Sequence, residues 1–187
     1  MFIRSERLFL RPGWPEDRRE LFERIADEGV IRNLANAPWP FSEDDAQRFL
    51  SSPHNPRQPM FVVTLPGASG AELVGCAGLH DSDDGRPEIG FWIGRRFWGQ
   101  GYATEALRAV LRVAQALGHG EITAYHFHDN PASARVLQKL GFKPDGNDRP
   151  RYSLGRGTSV PSIGWSMALE PGLGGDDDGD GPMRLAA

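Results

Sequence analysis

The spacing of hydrophobic positions changes period several times along the chain, and each change marks an element. In "ERLFLRP", Leu8 and Leu10 flank Phe9 between charged ends, which predicts a short first strand stopped by Pro12. Leu21, Phe22 and Ile25 then recur at helical spacing in "PEDRRELFERIADEG", with acidic residues in the first turn and Gly29 as the expected C-terminal stop. Ser42 followed by Asp45 has a capping-box pattern and predicts a second helix in "FSEDDAQRFL". The intervening "ANAPWPF" reads as a plain loop or as an exposed binding lip. Three strand-like runs follow, "MFVVTL", "ELVGCAGL" and "EIGFWIG". The turn clusters between them are so short that only antiparallel neighbours can be joined, so a meander is expected. The period then becomes helical, with Ala103, Ala106, Leu107, Val110, Leu111, Ala114 and Leu117 on one stripe that ends at Gly118. "EITAYHFH" is a strand by its β-branched and aromatic content. "NPASARVLQKLGF" predicts a helix capped by Asn130, opened by Pro131 and closed by Gly141, and "SVPSIGWSMAL" a last strand. Strands, helix, strand, helix and strand imply an α/β domain with a mixed sheet.

Composition narrows the class. A chain of 187 residues, 39% hydrophobic and 25% charged, fits one globular domain. No run of 18 apolar residues occurs, and "MFIRSERLFLRP" carries charges where a signal peptide needs an apolar core, so a soluble cytoplasmic protein without membrane contact is expected. The single cysteine, Cys76, excludes an internal disulfide. Of the net charge of −4, residues 171–187 supply −3 (four Asp, one Arg), leaving −1 for residues 1–170. Without a basic stripe, nucleic acid is not an expected partner. The expected organisation is one domain over residues 1–170 and an acidic, disordered tail over 171–187.

Candidate chemistry centres on "RRFWGQGYATEAL". A tight Gly-x-Gly before a helix frees backbone N–H groups and lets a ligand approach where no Cβ stands in the way. The helix start adds partial positive charge, which favours an anion, above all a pyrophosphate; the alternative is a purely structural turn. Gly99, Gly101 and Thr104 give no third glycine of a dinucleotide fingerprint, and no Gly-Lys-Ser/Thr follows. His80, His126 and His128 lack the helical ligand pair of a metal site, Cys76 lies in an apolar run, and no Gly-x-Ser-x-Gly elbow occurs, so neither metal nor hydrolase chemistry is expected.

Arg96, Gly99 and Gly101 resemble the coenzyme A motif Q/R-x-x-G-x-G/A of the GNAT superfamily of N-acetyltransferases, and "NPASARVLQKLGF" resembles its Asn-x-x-Ser helix. "SERLFLRP" and "PEIGFWIG" are similar to the branch that acetylates N-terminal amines of ribosomal proteins. The resemblance covers most of residues 3–169 and implies a GNAT-type fold. That fold has a mixed central sheet of about seven strands with flanking helices, in which the parallel pair "EIGFWIG" and "EITAYHFH" splays apart. It implies acetyl-CoA as donor, its pyrophosphate held by backbone groups of Phe97, Trp98, Gly99, Gln100, Gly101, Tyr102, Ala103 and Thr104. Phe91, Trp92 and Ile93 would pair with the pantetheine arm, and Asn130 would bond it from the other side. Lys139 reads as a solvated helix lysine, the alternative being a place near the nucleotide phosphates. Glu88 is the expected base for the amine, directly or through water, and a backbone N–H near Phe91 or Trp92 the oxyanion donor. Many superfamily members carry a tyrosine seven residues after the asparagine; here that position is Leu137, so Ser133 is the expected proton donor to the thiolate, with Tyr125 in reserve. The implied acceptor is a peptide or protein N-terminus, the alternatives being an aminoglycoside or polyamine, or a non-catalytic acyl-CoA sensor. The protein is expected to be a monomer or homodimer.

Overall fold

The structure is a computed structural model describing residues 1–170 apart from His54, Ser69 and Asp83. The expected tail over 171–187 lies outside the described residues.

The first expected strand is a small hairpin, β1 (Ile3–Arg4) and β2 (Phe9–Arg11), because Ser5 N–H bonds the Leu8 carbonyl and turns the chain between them. The first expected helix is also divided. A 3-10 turn (Pro15–Asp17) leads into α1 (Arg18–Ile25), which stops at Ala26 instead of Gly29. Asp27 then caps a new short helix, α2 (Glu28–Ile31), by accepting the Gly29 N–H. Gly29 is inside α2 because a Cβ there would collide with the guanidinium of Arg95, which forks onto Asp27. The capping box of α3 (Glu43–Leu50) forms as expected.

The meander follows as β3 (Met60–Leu65), β4 (Glu72–Asp81) and β5 (Pro87–Ile93), antiparallel in sequence. Helix α4 (Tyr102–Ala116) carries the chain over to β6 (Glu121–Phe127), parallel to β5, and α5 (Pro131–Leu140) follows. The C-terminal part adds β7 (Lys143–Pro144), β8 (Arg149–Ser153) and β9 (Thr158–Ala168). Among the described residues the sheet has nine strands, ordered β1-β2-β3-β4-β5-β6-β9-β7 with β8 also on β9. Three of the nine go beyond the six strands read from the hydrophobic pattern: the division of the first strand into a hairpin adds one, and β7 and β8, which are too polar to read as strands alone, add two.

Side chains alternate across this sheet, and each face buries its own core. Ala106, Leu107 and Val110 of α4 pack with Ile89, Ile93 and Ile122 on one face, and Leu137 of α5 joins them. Leu21, Ile25, Val30, Ile31 and Ala46 cover Val62, Cys76 and Trp92 on the other. None of the described helices is long and apolar enough to cross a membrane.

Candidate active site

Strands β5 and β6 touch in register only at Glu88 and Thr123, where the Thr123 hydroxyl also donates to the Pro87 carbonyl (3.1 Å). Beyond that point they diverge, because β6 is held along its whole length by β9 and β5 by β4. The gap opens into a cleft of about 430 Å³ between the α4 loop, α5 and α2.

The strand edge facing the gap follows from β5's register. Gly94 N–H bonds the Val74 carbonyl, so by alternation the main chain of Trp92 also faces β4, while that of Phe91 and Ile93 faces the gap. This narrows the expectation for the strand: Phe91 offers N–H and carbonyl, whereas the Ile93 carbonyl already accepts the indole N–H of Trp98 (2.6 Å). Trp92 is also among the residues that line the cleft.

Gly99 (φ 77°) and Gly101 (φ 82°) both adopt left-handed backbone, which a Cβ would strain. Gly101 occupies the N-cap of α4, no side chain caps the helix, and its first intrahelical bond runs from Glu105 N–H to the Gly101 carbonyl. The N–H groups of Tyr102, Ala103 and Thr104 therefore have no helical acceptor, and these residues line the cleft with Gly99, Phe97 and Trp98. An anion there would meet orphan donors and the positive end of a helix. The side chains of Arg96 and Gln100 are engaged outside the cleft lining. The Arg96 side chain pairs with Glu72, the Gln100 side-chain amide donates to the Arg96 carbonyl, and the Gln100 main-chain carbonyl accepts from Arg7. Arg7 also clamps Glu105, fastening the loop to the N-terminal hairpin.

The opposite wall is α5. Asn130 spends its side-chain oxygen on the Ser133 N–H (3.2 Å) and donates one amide hydrogen to Ser133 Oγ (2.9 Å), so its main work is capping the helix. The Ser133 hydroxyl accepts from Asn130 and keeps its own proton available beside the cleft. Leu137 is buried in the core. Lys139 is exposed, as the solvated reading expects, and also lines the cleft, on a face with Ala132 and Val136 whose i, i+4, i+7 spacing is visible in the sequence. Val30, Asn33 and Leu34 of the α2 segment also line it, and no motif announced them.

Glu88 is not free to meet an acceptor. Its side chain is 2% exposed, with Oε2 accepting from Arg151 Nη2 (3.0 Å) and Oε1 from Arg151 Nη1 (3.4 Å). His80 Nε2 also lies 3.0 Å from Oε1. Arg151 in turn lies over the Tyr125 ring, 3.5 Å from its centroid. Sequence reasoning could not join these residues, since Arg151 is 63 positions from Glu88. Cys76 is buried and its thiol is pushed up by that burial, which keeps it from acting as a nucleophile.

The rim is built from two segments. Three bonds from the β8–β9 hairpin reach main-chain carbonyls around α2: Ser153 Oγ to Leu34, Leu154 N–H to Ala35 and Arg156 Nε to Arg32. Trp39, Tyr152 and Leu154 are exposed there. Asp129 is forked by Arg156 and bonded by Arg32, and the Arg156 contact first of all lowers its carboxyl to about 2.

Known proteins share this architecture. The acetyltransferase (GNAT) domain model matches residues 7–143. The chain is 39% identical over 99 residues to the uncharacterized N-acetyltransferase YoaA of Bacillus subtilis, 51% of this chain and 55% of that one, so it spans about half the relative's length. A candidate ribosomal-protein-serine acetyltransferase from Vibrio cholerae superposes with a TM-score of 0.72 at 23% identity, covering 90% of this chain and 98% of that one. The microcin C7 self-immunity acetyltransferase MccE, solved with acetyl-CoA and AMP, gives 0.73 at 19% identity, covering 88% and 94%. Splayed strands, the uncapped glycine-led helix and the family match over residues 7–143 agree: the chain belongs to the GNAT family of N-acetyltransferases.

Proposed function

We infer that this protein transfers the acetyl group of acetyl-CoA to a primary amine by direct attack, and that the acceptor is the N-terminal α-amine of a protein or peptide. The observation that carries the donor side is the uncapped start of α4, where orphan N–H groups line the cleft beside Gly99 and Gly101. The pantetheine arm would run along the Phe91 edge, whose N–H is the nearest preorganised donor for the developing oxyanion. Ser133, its proton uncommitted, would protonate the leaving thiolate. Burial of Cys76 supports direct attack over an acetyl-cysteine intermediate.

The acceptor reading draws on the fold shared with the Vibrio cholerae protein and on the charges around the rim. Three carboxylates on the elements around the cleft are already engaged: Asp27 by Arg95, Asp129 by Arg32 and Arg156, Glu88 by Arg151. A polycationic aminoglycoside or polyamine would find no unpaired carboxylate among them. An α-amine suits the site chemically, because with a pKa of about 7.7–8.0 roughly a tenth of it is neutral at pH 7, against less than about a thousandth of a lysine. Thiol release should be measured with peptides beginning in Ala or Ser, the same peptides N-terminally blocked, an aminoglycoside and a polyamine. Turnover confined to the unblocked peptides is expected; preference for the polyamine or aminoglycoside would reject the α-amine. Coenzyme binding without thiol release from any amine or water would reject the enzyme.

A further inference from the structure

We propose that His80, oriented by the buried Glu88, is the group that takes the acceptor amine's proton. The inference rests on the acetyl-transfer reading above and adds the base that the buried carboxylate cannot itself be.

His80 lies on β4 directly opposite Glu88 on β5, so both side chains rise from the same face of the sheet. Glu88, held by Arg151, is a carboxylate that can only accept, and the imidazole Nε2 at 3.0 Å must therefore be the N–H donor. That fixes the tautomer and leaves the Nδ1 lone pair as the ring's basic atom. No described residue bonds Nδ1. The ring lies across Gly90, where a Cβ would stand 3.0 Å from Cε1 and 3.4 Å from Nδ1. The missing side chain at Gly90 is what makes room for it. Gly90 immediately precedes Phe91, the residue whose N–H faces the gap, and so the free nitrogen is beside the strand that would carry the thioester. The His80 side chain is 41% exposed and that of Glu88 is 2% exposed, which gives the pair a reachable outer member and a fixed inner one. Charge reaches the ring from two strands, through Glu88 on β5 and through Arg151 on β8, which shares the same carboxylate.

In the reaction the neutral amine nitrogen attacks the thioester carbonyl carbon. As the C–N bond forms, an N–H proton passes to His80 Nδ1, and the imidazolium later releases it to water. The C–S bond breaks with its electron pair on sulfur, and the thiolate takes a proton from Ser133, which recovers one from solvent. One amide and one thiol result, with no net proton consumed. Glu88 touches neither reactant and is a positioning residue.

The test uses the full chain, with acetyl-CoA and an Ala-initiated peptide as probe. His80→Gln retains an amide donor for Glu88 and should fold and bind acetyl-CoA as the wild type does. Its turnover at neutral pH should fall about a hundredfold, at the low end for a positioned base, and recover as rising pH deprotonates the peptide. His80→Ala should regain turnover with added imidazole, and Gly90→Ala, which displaces the ring, should lose turnover with unchanged coenzyme affinity. Turnover within about threefold of wild type and an unchanged pH profile in His80→Gln, or no imidazole rescue in a folded His80→Ala, would overturn the assignment. If the wild type does not use the peptide, the α-amine reading fails. The same variants are then compared in acetyl-CoA hydrolysis, where water replaces the amine and the same fall and rescue are expected.

Discussion

Two helix starts face one cleft and are finished in opposite ways. At α5, Asn130 closes the first turn with its own side chain and holds Ser133 in place. At α4, Gly101 leaves the turn open, and no side chain satisfies the N–H groups behind it. The difference separates two tasks. On the proposed reading, the open helix start receives the coenzyme's anion, whereas the closed one is a rigid mount for the hydroxyl proposed as proton donor.

The sharpest way to break that comparison is to remove the mounted hydroxyl. Ser133→Ala should lower turnover by about 2–4 kcal/mol of transition-state stabilisation, as when one donor to a developing anion is lost. Acetyl-CoA affinity by calorimetry should be unchanged, and a loss below about threefold would transfer the role to Tyr125 or water. The reciprocal change at the open start is Gly101→Val, which adds a side chain at left-handed backbone and blocks the approach. It should weaken acetyl-CoA at least about tenfold, about 1.4 kcal/mol, in a variant with wild-type circular dichroism. Unchanged affinity would mean the orphan donors are not the coenzyme's seat. Asn130→Ala should cost about 1 kcal/mol of folding stability in urea titrations, the usual worth of an N-cap, and loosen Ser133 with it.

The smallest effect concerns the rim. Asp129 is held at about 2 by Arg156 and Arg32, below its ordinary 3.8, so the ion pair's stabilisation is fully present above pH 3.8 and is lost as pH falls toward 2. The urea midpoint of the wild type should decline through that window more steeply than that of Asp129→Asn. Parallel curves would leave the contact without energetic weight, as partly exposed pairs often are.

The open start was legible in sequence because Gly99, Gly101 and the α4 stripe sit within one short segment and obey local rules. The closed start was legible for the same reason in Asn130, Pro131 and Ser133. What escaped was set by distance along the chain. Glu88 reads as an accessible strand-edge carboxylate until Arg151 and His80 arrive from other strands to bury and bond it. Gly29 reads as a helix stop until Arg95, 66 positions later, turns out to need its missing Cβ. The strands β7 and β8 carry little apolar alternation, since they are mostly exposed and owe their existence to pairing with β9.

The rim's assembly has a consequence for redesign. The β8–β9 hairpin grips the α2 segment through the carbonyls of Arg32, Leu34 and Ala35, which every amino acid supplies. The exposed side chains of Asn36 and Trp39 can thus be exchanged without unseating the hairpin, whereas Ala37 is buried and Phe41 packs against the core, so only the outward positions of this stretch are replaceable. Its length has no such freedom: Gly155 is wedged against Ile31 and the Ala37 carbonyl, so an insertion between those two anchor points would shift the joint itself.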